Sequence, residues 1–273
     1  MCQSLEVSKS GYYNWVNRKL SKRKQENILL LYAIKEVFFK SREIYGSPRV
    51  CEELNIKGYS CSEKLVERLM RISNLRSKIN KKYKVTTTNS NHKMDVSRNL
   101  LEQNFDIKNP GEVWVSDITY VKVNNNWMYL TVILDLFNRE ILGWDLSCSL
   151  ETKSLINALR NSVKKYKPNK GCIFHSDRGV QYASKEFRLL LNELELTQSM
   201  SGHGNCYDNA CAETFFKTLK VENIYHKTYI SQEEARRDLF EYIEIFYNQE
   251  RLHSYLGYKS PKEYRKLYYK KTA

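Results

Sequence analysis

At Pro110-Gly111 the hydrophobic period of the chain changes, and that change decides what the chain can fold into. After it, Val113 to Val123, Trp127 to Phe137 and Glu140 to Leu146 read as three strands. Asn124-Asn125-Asn126 and Asn138-Arg139 supply the turns between them, which makes a meander. Helical spacing returns from Glu151 to Tyr166 through Leu155, Ile156, Leu159 and Val163, and stops at Pro168 and Gly171. A short apolar strand, Cys172 to His175, is followed by a helix from Ser184 to Leu194, a brief strand from Leu196 to Met200, a polar loop and a long helix from about Asn209. The order β-β-β-α-β-α-β-α predicts an α/β layout, a mixed sheet covered by helices.

Before Pro110 the pattern is helical. Residues 24–40 predict an amphipathic helix carrying Ile28, Leu31, Tyr32 and Lys35 to Phe39. Tyr45-Gly46-Ser47-Pro48 is a turn with Pro at a helix start, and the short helix that follows breaks at Lys57-Gly58. Ser60, three residues before Glu63, has the spacing of a capping box for the next helix. On that helix Leu65, Leu69 and Ile72 would face a core, and Lys64, Arg68 and Arg71 would line another side. Two short helices around a Gly turn with one basic face suggest a helix-turn-helix over about residues 40–75; an ordinary small helical bundle is the competing reading.

Several classes are excluded. The longest apolar run, Ile28 to Ile34, is seven residues, against roughly 18 needed to span a bilayer. The first twenty residues lack an apolar h-region and carry Glu6, Lys9, Arg18 and Lys19, so no secretory signal is expected and the protein is expected in the cytoplasm. The seven cysteines, at 2, 51, 61, 148, 172, 206 and 211, form an odd, scattered set that fits neither a disulfide framework nor a zinc knuckle. Net charge is +14, and residues 1–84 alone hold 19 Lys/Arg against 8 Asp/Glu, whereas 113–273 carry only +4. Such a concentrated positive field points to a polyanionic partner, although a solvated surface gives the same composition. Arg76 to Asn91, with Lys78, Lys81, Lys82 and Lys84, reads as a basic linker lying on nucleic acid. The domain reading is therefore 1–84 basic and helical, 85–111 linker, 112–225 α/β core and 226–273 helical extension.

Three acids stand out by placement. Asp117 interrupts a strand where Asp is disfavoured. Asp177 follows the Cys172 to His175 strand at the carboxyl edge of the sheet, the usual ligand crevice of α/β folds. Glu213 lies early in the last long helix, 35 residues intervening between it and Asp177. Phosphodiester cleavage at neutral pH needs an activated oxygen nucleophile and a stabilised leaving oxygen, which two divalent ions held by converging carboxylates can supply together. Each acid alone also has an ordinary reading: a strand-edge charge, an Asx turn or helix cap, a solvated helix acid.

The three contexts together resemble a known family. Val113-Trp114-Val115-Ser116-Asp117-Ile118-Thr119-Tyr120, His175-Ser176-Asp177-Arg178-Gly179-Val180-Gln181-Tyr182 and the run Gly204 to Lys220 containing Asp208-Asn209-Ala210-Cys211-Ala212-Glu213 are similar to the three blocks of a DDE transposase. The match is to the insertion sequence three family, in its second-frame product OrfB. Tyr247-Asn248-Gln249-Glu250-Arg251 through Tyr258 resembles that family's C-terminal signature, and Tyr45-Gly46-Ser47-Pro48-Arg49 its N-terminal helical block.

The resemblance implies a ribonuclease H-like core, like that of retroviral integrases, preceded by a small all-α helix-turn-helix-like domain. It implies that Asp117, Asp177 and Glu213 are catalytic and hold two Mg²⁺, with Mn²⁺ as the substitute ion, and that Lys220 contacts DNA near the cut. Lys64, Arg68, Arg71, Lys81 and Lys82 are the further candidate DNA contacts. Asn209 has two readings, orienting Glu213 or capping the helix; His175 is read as structural and Asp135 as a turn-proximal acid. The implied activity is strand cleavage and strand transfer at element ends by a nucleoid-associated enzyme. Its partners would be double-stranded DNA with terminal inverted repeats, target DNA, further copies of the chain, and a first-frame product, OrfA, separate or fused. An inactive DNA-binding remnant and a structure-selective nuclease that never joins are the alternatives.

Overall fold

A computed structural model describes residues 2, 4–79, 96–202 and 206–272, the side chains of Cys206 and Tyr207 excepted. It divides into two compact units, Met1–Lys78 and Ile79–Ala273. The first unit closes at Lys78, short of the expected boundary at 84. Lys81 and Lys82 lie outside the described residues.

Four helices build the first unit: α1 (Lys9–Val16), α2 (Lys22–Lys40), α3 (Ser47–Ile56) and α4 (Glu63–Ile72). Serine hydroxyls of Ser8, Ser21 and Ser62 accept the backbone N–H three residues on and so satisfy first-turn donors of α1, α2 and α4. The cap of α4 is therefore Ser62 and not Ser60. Helices α2, α3 and α4 pack together through Leu30, Ile34, Val37 and Phe38, Val50 and Leu54, and Val66, Leu69 and Met70. This moves the expected core face of α4 by one position. Ile72 is 71% exposed, because Val66 and Met70 form the equally regular i, i+4 row that meets α2 and α3. Ile28 and Tyr32 are likewise exposed, and α2 buries the neighbouring stripe. Lys64, Arg68 and Arg71 are exposed, with Glu63 and Glu67 beside them.

The second unit is a five-stranded sheet: β1 (Val113–Val123), β2 (Asn126–Asp135), β3 (Ile141–Ser147), β4 (Ile173–Ser176) and β5 (Thr197–Met200). Their order across the sheet is β3-β2-β1-β4-β5. The meander β1-β2-β3 is antiparallel, and β4 and β5 join β1 in parallel. Helices α5 (Thr152–Lys165), α6 (Val180–Ala183) and α7 (Lys185–Glu193) cover one face, clustering Leu155, Leu159, Tyr182 and Phe187 with Trp114 and Phe174. Gly143 on β3 permits the close approach of α5, since a Cβ there would meet Ser162 Oγ at 2.2 Å and the Ala158 carbonyl at 2.6 Å. Helix α8 (Ala210–Glu222) packs against β1.

Both sheet edges are covered. The described part of the linker, 96–111, runs beside β5: Ser97 Oγ donates to Gln198 Oε1 (2.9 Å), Leu100 N to Ser199 Oγ (2.9 Å) and Met200 N to the Arg98 carbonyl (3.4 Å). At the other edge the C-terminal part, expected to be an extension, closes on β3. There α9 (Gln232–Phe240) continues into a π-helix, Glu241–Glu250, and α10 (Pro261–Thr272) follows. Asn248 accepts from Ile141 N and donates to the Ile141 carbonyl, both at 2.9 Å, as a neighbouring strand would. Arg265 pairs with Asp135 and Glu140, each at 3.0 Å, so Asp135 is a structural acid at the turn, as expected. The described cysteines 2, 51, 61, 148, 172 and 211 are free thiols. Among the described residues no helix is long and apolar enough to cross a membrane.

The end of α8 is fixed by a buried ion pair. Glu222 accepts from Arg251 Nη2 at 2.7 Å and from Tyr242 Oη at 2.6 Å, with side chains of Glu222 and Arg251 only 3% and 6% exposed. Arg251→Met is expected to destabilise the second unit by about 3–5 kcal/mol, because it strands a buried carboxylate. Urea unfolding of the variant checks this. A loss under about 1 kcal/mol would mean that Glu222 escapes to solvent.

Candidate active site

The parallel pairing of β1 with β4 builds the site. Ser116 on β1 is the register partner of Ser176 on β4. Asp117, still within β1, and Asp177, just past the end of β4, are each the next residue after that rung. Neighbouring strands are about 4.8 Å apart, which makes the two acids side-by-side neighbours at the carboxyl edge of the sheet. Side chains alternate along a strand, so Ser116 turns to the helix-covered face, where its hydroxyl meets Tyr182 Oη at 2.9 Å, and Asp117 turns to the other.

Each acid is also held locally. Asp117 Oδ1 accepts from Ile118 N at 2.8 Å. Asp177 Oδ1 accepts from Gly179 N at 2.9 Å, so the Asx turn expected as an ordinary reading is present at the same residue. A Cβ at Gly179 would stand 3.0 Å from that oxygen, so glycine is what lets the turn close on the carboxylate.

Helix α8 brings the remaining groups. Burial raises the Asp117 pKa well above the ordinary carboxylate range, the Asp177 charge raises it further, and Glu213 adds to the repulsion while Lys220 opposes it. Glu213 is exposed, and its pKa is raised by partial burial and by Asp177. Lys220 is half-buried; burial lowers its pKa and Asp117 counters that. The three acids and Lys220 therefore share one electrostatic environment. Among the described residues no three Asp, Glu, His or Cys side chains stand as a ready-made ligating cluster. The donor set itself suits hard divalent cations: carboxylates only, mutually repelling, drawn from three separate elements.

His175 is enclosed. Its Nδ1 lies 2.8 Å from Ser199 Oγ and its Nε2 3.3 Å from Ser201 Oγ, and burial pushes its pKa down to about 4. That is the structural role expected of it. The side chain of Asn209 makes no cap bond with α8; its Nδ2 donates to the Ser116 carbonyl at 3.2 Å. Lys64, Arg68 and Arg71 belong to the first unit and are described with it. Sequence reasoning missed Asp208, which is buried and accepts from Asn99 Nδ2 (3.0 Å), Gln103 Nε2 (3.0 Å) and Gly202 N (2.7 Å). It also missed Tyr182 beneath the acids. Position 208 within the Asp208-Asn209 dipeptide was the one available signal for the first, and nothing local marks the second.

Comparison with known proteins places both units. The Integrase core domain family matches residues 108–206, a second Integrase core domain family matches 213–267, and the HTH-like domain family matches 24–83. The chain is 42% identical over 277 residues to the insertion element IS600 uncharacterized 31 kDa protein of Shigella sonnei, covering 100% of each. It is 38% identical over 266 residues to transposase InsF for insertion sequence IS3A of Escherichia coli (strain K12), covering 97% of this chain and 92% of that one. Among solved structures, a chain of the simian T-cell lymphotropic virus intasome in complex with PP2A regulatory subunit B56 gamma superposes with a TM-score of 0.50 at 15% identity. That match covers 85% of this chain and 74% of the other. The core fold is ribonuclease H-like, with a helix-turn-helix-like region before it.

Because Asp117 is half-buried and beside like charge, Asp117→Asn is expected to raise the melting temperature of the protein in EDTA. Each kcal/mol relieved corresponds to about 2–4 °C for a unit of this size. A thermal scan of both proteins checks it, and a lower melting point in the variant would show that the carboxylate is not under electrostatic strain.

Proposed function

The chain belongs to the transposase family of IS3-type insertion sequences, and from that premise we propose that it is a DDE-type polynucleotidyl transferase that cuts and joins DNA at the ends of its element. The observation that supports this best is the shared rung: Asp117 and Asp177 follow the paired residues Ser116 and Ser176 on adjacent parallel strands, with Glu213 of α8 in the same electrostatic environment. Asp117, Asp177 and Glu213 would hold two Mg²⁺ ions, or Mn²⁺ in their place, which lower the pKa of attacking water and stabilise the leaving oxygen. In the first step water attacks one phosphodiester and frees a 3′ hydroxyl. That hydroxyl then attacks a second phosphodiester in line, so one bond forms as one breaks and no protein nucleophile is needed.

The chain's own residues supply placement. Lys220, seven residues and two turns after Glu213, puts a cation on the same helix face and would take a phosphate beside the cut. The Ser116–Tyr182 and Asp177–Gly179 bonds fix the backbone from which the two aspartates project. Lys64, Arg68 and Arg71 on α4 would hold duplex DNA, with Lys81 and Lys82 in the following basic stretch. The proposed partners are the terminal inverted repeats, target DNA, further copies of this chain and a first-frame product OrfA, in a nucleoid-associated complex. The proposed boundaries of function are a DNA-binding region through residue 84 and a catalytic core from 112.

Single replacement of Asp117 or Asp177 by Asn, or Glu213 by Gln, is expected to abolish Mg²⁺-dependent cleavage of labelled element ends while DNA binding is kept. Cleavage surviving in one variant above a few per cent removes that residue from the site, and cutting without joining in the parent protein favours a nuclease.

Neutralising Lys64, Arg68 and Arg71 together to Gln is expected to flatten the slope of log affinity against log salt by about 0.9 for each phosphate that is no longer neutralised. An unchanged slope moves the DNA footprint off α4.

A further inference from the structure

We infer that Asp208 and Asn209 are positioning residues that set where Glu213 stands, by fixing the start of α8 to the sheet from two sides. The inference rests on the reading of Asp117, Asp177 and Glu213 given above and extends it to residues that touch none of the reacting groups.

The first attachment is to β1. Asn209 is 4% exposed, and its Nδ2 donates to the carbonyl of Ser116. Ser116 immediately precedes Asp117 and is the strand partner of Ser176, which immediately precedes Asp177. One hydrogen bond thus joins the residue before α8 to the rung from which both aspartates spring. Glu213 lies four residues further, one turn along the same helix face, so movement at 209 is transmitted to it with little attenuation.

The second attachment is to the β5 side. Asp208 is 1% exposed and takes donors from Asn99, Gln103 and Gly202. Asn99 and Gln103 belong to the segment that runs beside β5, and Gly202 stands two residues past that strand. A carboxylate receiving several neutral donors makes stronger and more directional bonds than a neutral acceptor would. Adjacent residues thus bind the start of α8 to the central strand and to the β5 edge, and α8 cannot rotate about either bond alone.

A third observation separates positioning from packing. Asn209 Oδ1 is buried with no hydrogen-bond partner among the described residues. Leaving a buried acceptor unpaired opposes folding. An apolar side chain of the same volume would avoid that penalty, so packing does not account for an amide here, whereas the bond its donor makes to Ser116 does.

The test measures Mn²⁺ affinity of the full-length, DNA-free protein by the loss of the free-ion electron paramagnetic resonance signal, beside its melting temperature. Asn209→Ala is expected to raise the Mn²⁺ Kd threefold or more and to raise by the same factor the Mg²⁺ concentration giving half-maximal cleavage. The melting temperature should stay within a few degrees of the parent. Asn209→Leu, which fills the volume but donates nothing, should weaken Mn²⁺ equally and replaces the Ala variant if that one melts early. A Kd changed by less than threefold in the folded variant, while Glu213→Gln weakens the ion, overturns the positioning role and leaves the assignment of the acids standing. Mn²⁺ affinity untouched by Glu213→Gln overturns that assignment, and the anchor with it.

Discussion

The pairing of two parallel strands in the middle of the sheet forces like charges together, and much of the second unit is arranged around that constraint. Asp117 and Asp177 follow the Ser116–Ser176 rung, so backbone hydrogen bonding, which is indifferent to side-chain charge, holds them as neighbours. Two carboxylates free to choose would separate. Here they can only be shielded, through local backbone N–H donors and the amine of Lys220, and the pKa of Asp117 is raised by its burial first and by the neighbouring Asp177 charge second. Like charges held this close raise the cost of ionising either one.

Holding that arrangement requires that β1, β4 and α8 not move. The sheet is closed at β5 by residues 97–100 and at β3 by the amide of Asn248, so neither edge is left to fray or to pair with another chain. Helix α8 is restrained at both ends. Asn209 and Asp208 attach its start, and Glu222, in the grip of Arg251 and Tyr242, attaches its last turn. The C-terminal helices thereby belong to the scaffold of the candidate site, because they hold the far end of the helix that carries Glu213 and Lys220.

The strands, the order of elements and the three acids were legible in the sequence because they are local: period-two runs, turn residues, an Asp where a strand disfavours one. The errors also have a physical pattern. On α4 two overlapping apolar rows exist, Leu65-Leu69-Ile72 and Val66-Leu69-Met70, and only the packing of α2 and α3 selects between them. Ser60 has the capping-box spacing to Glu63, but the helix starts directly after Ser62, whose hydroxyl accepts from Leu65 N. Residues 96–111 have no period, so they read as linker, yet their polar side chains and backbone complete an edge strand far along the chain. Asp208, Asn248 and Arg251 act through partners some 30 to 110 residues away in sequence, and no window of sequence contains both halves of such a bond.

The division of charge along the chain follows from the same constraint. A site that collects three carboxylates repels the phosphates it is proposed to cut, and Lys220 is the cation that acts on Asp117 from α8. Affinity for a polyanion then has to come from elsewhere in the chain. The sequence supplies it at a distance: residues 1–84 carry 19 basic against 8 acidic residues, whereas residues 113–273 are nearly balanced. A net positive charge concentrated in one stretch of chain attracts a polyanion, and a nearly balanced stretch does not. The two compact units thus differ in charge as well as in fold: the excess of basic residues falls on the helical unit and the stretch that follows it, and the mutually repelling carboxylates fall on the sheet.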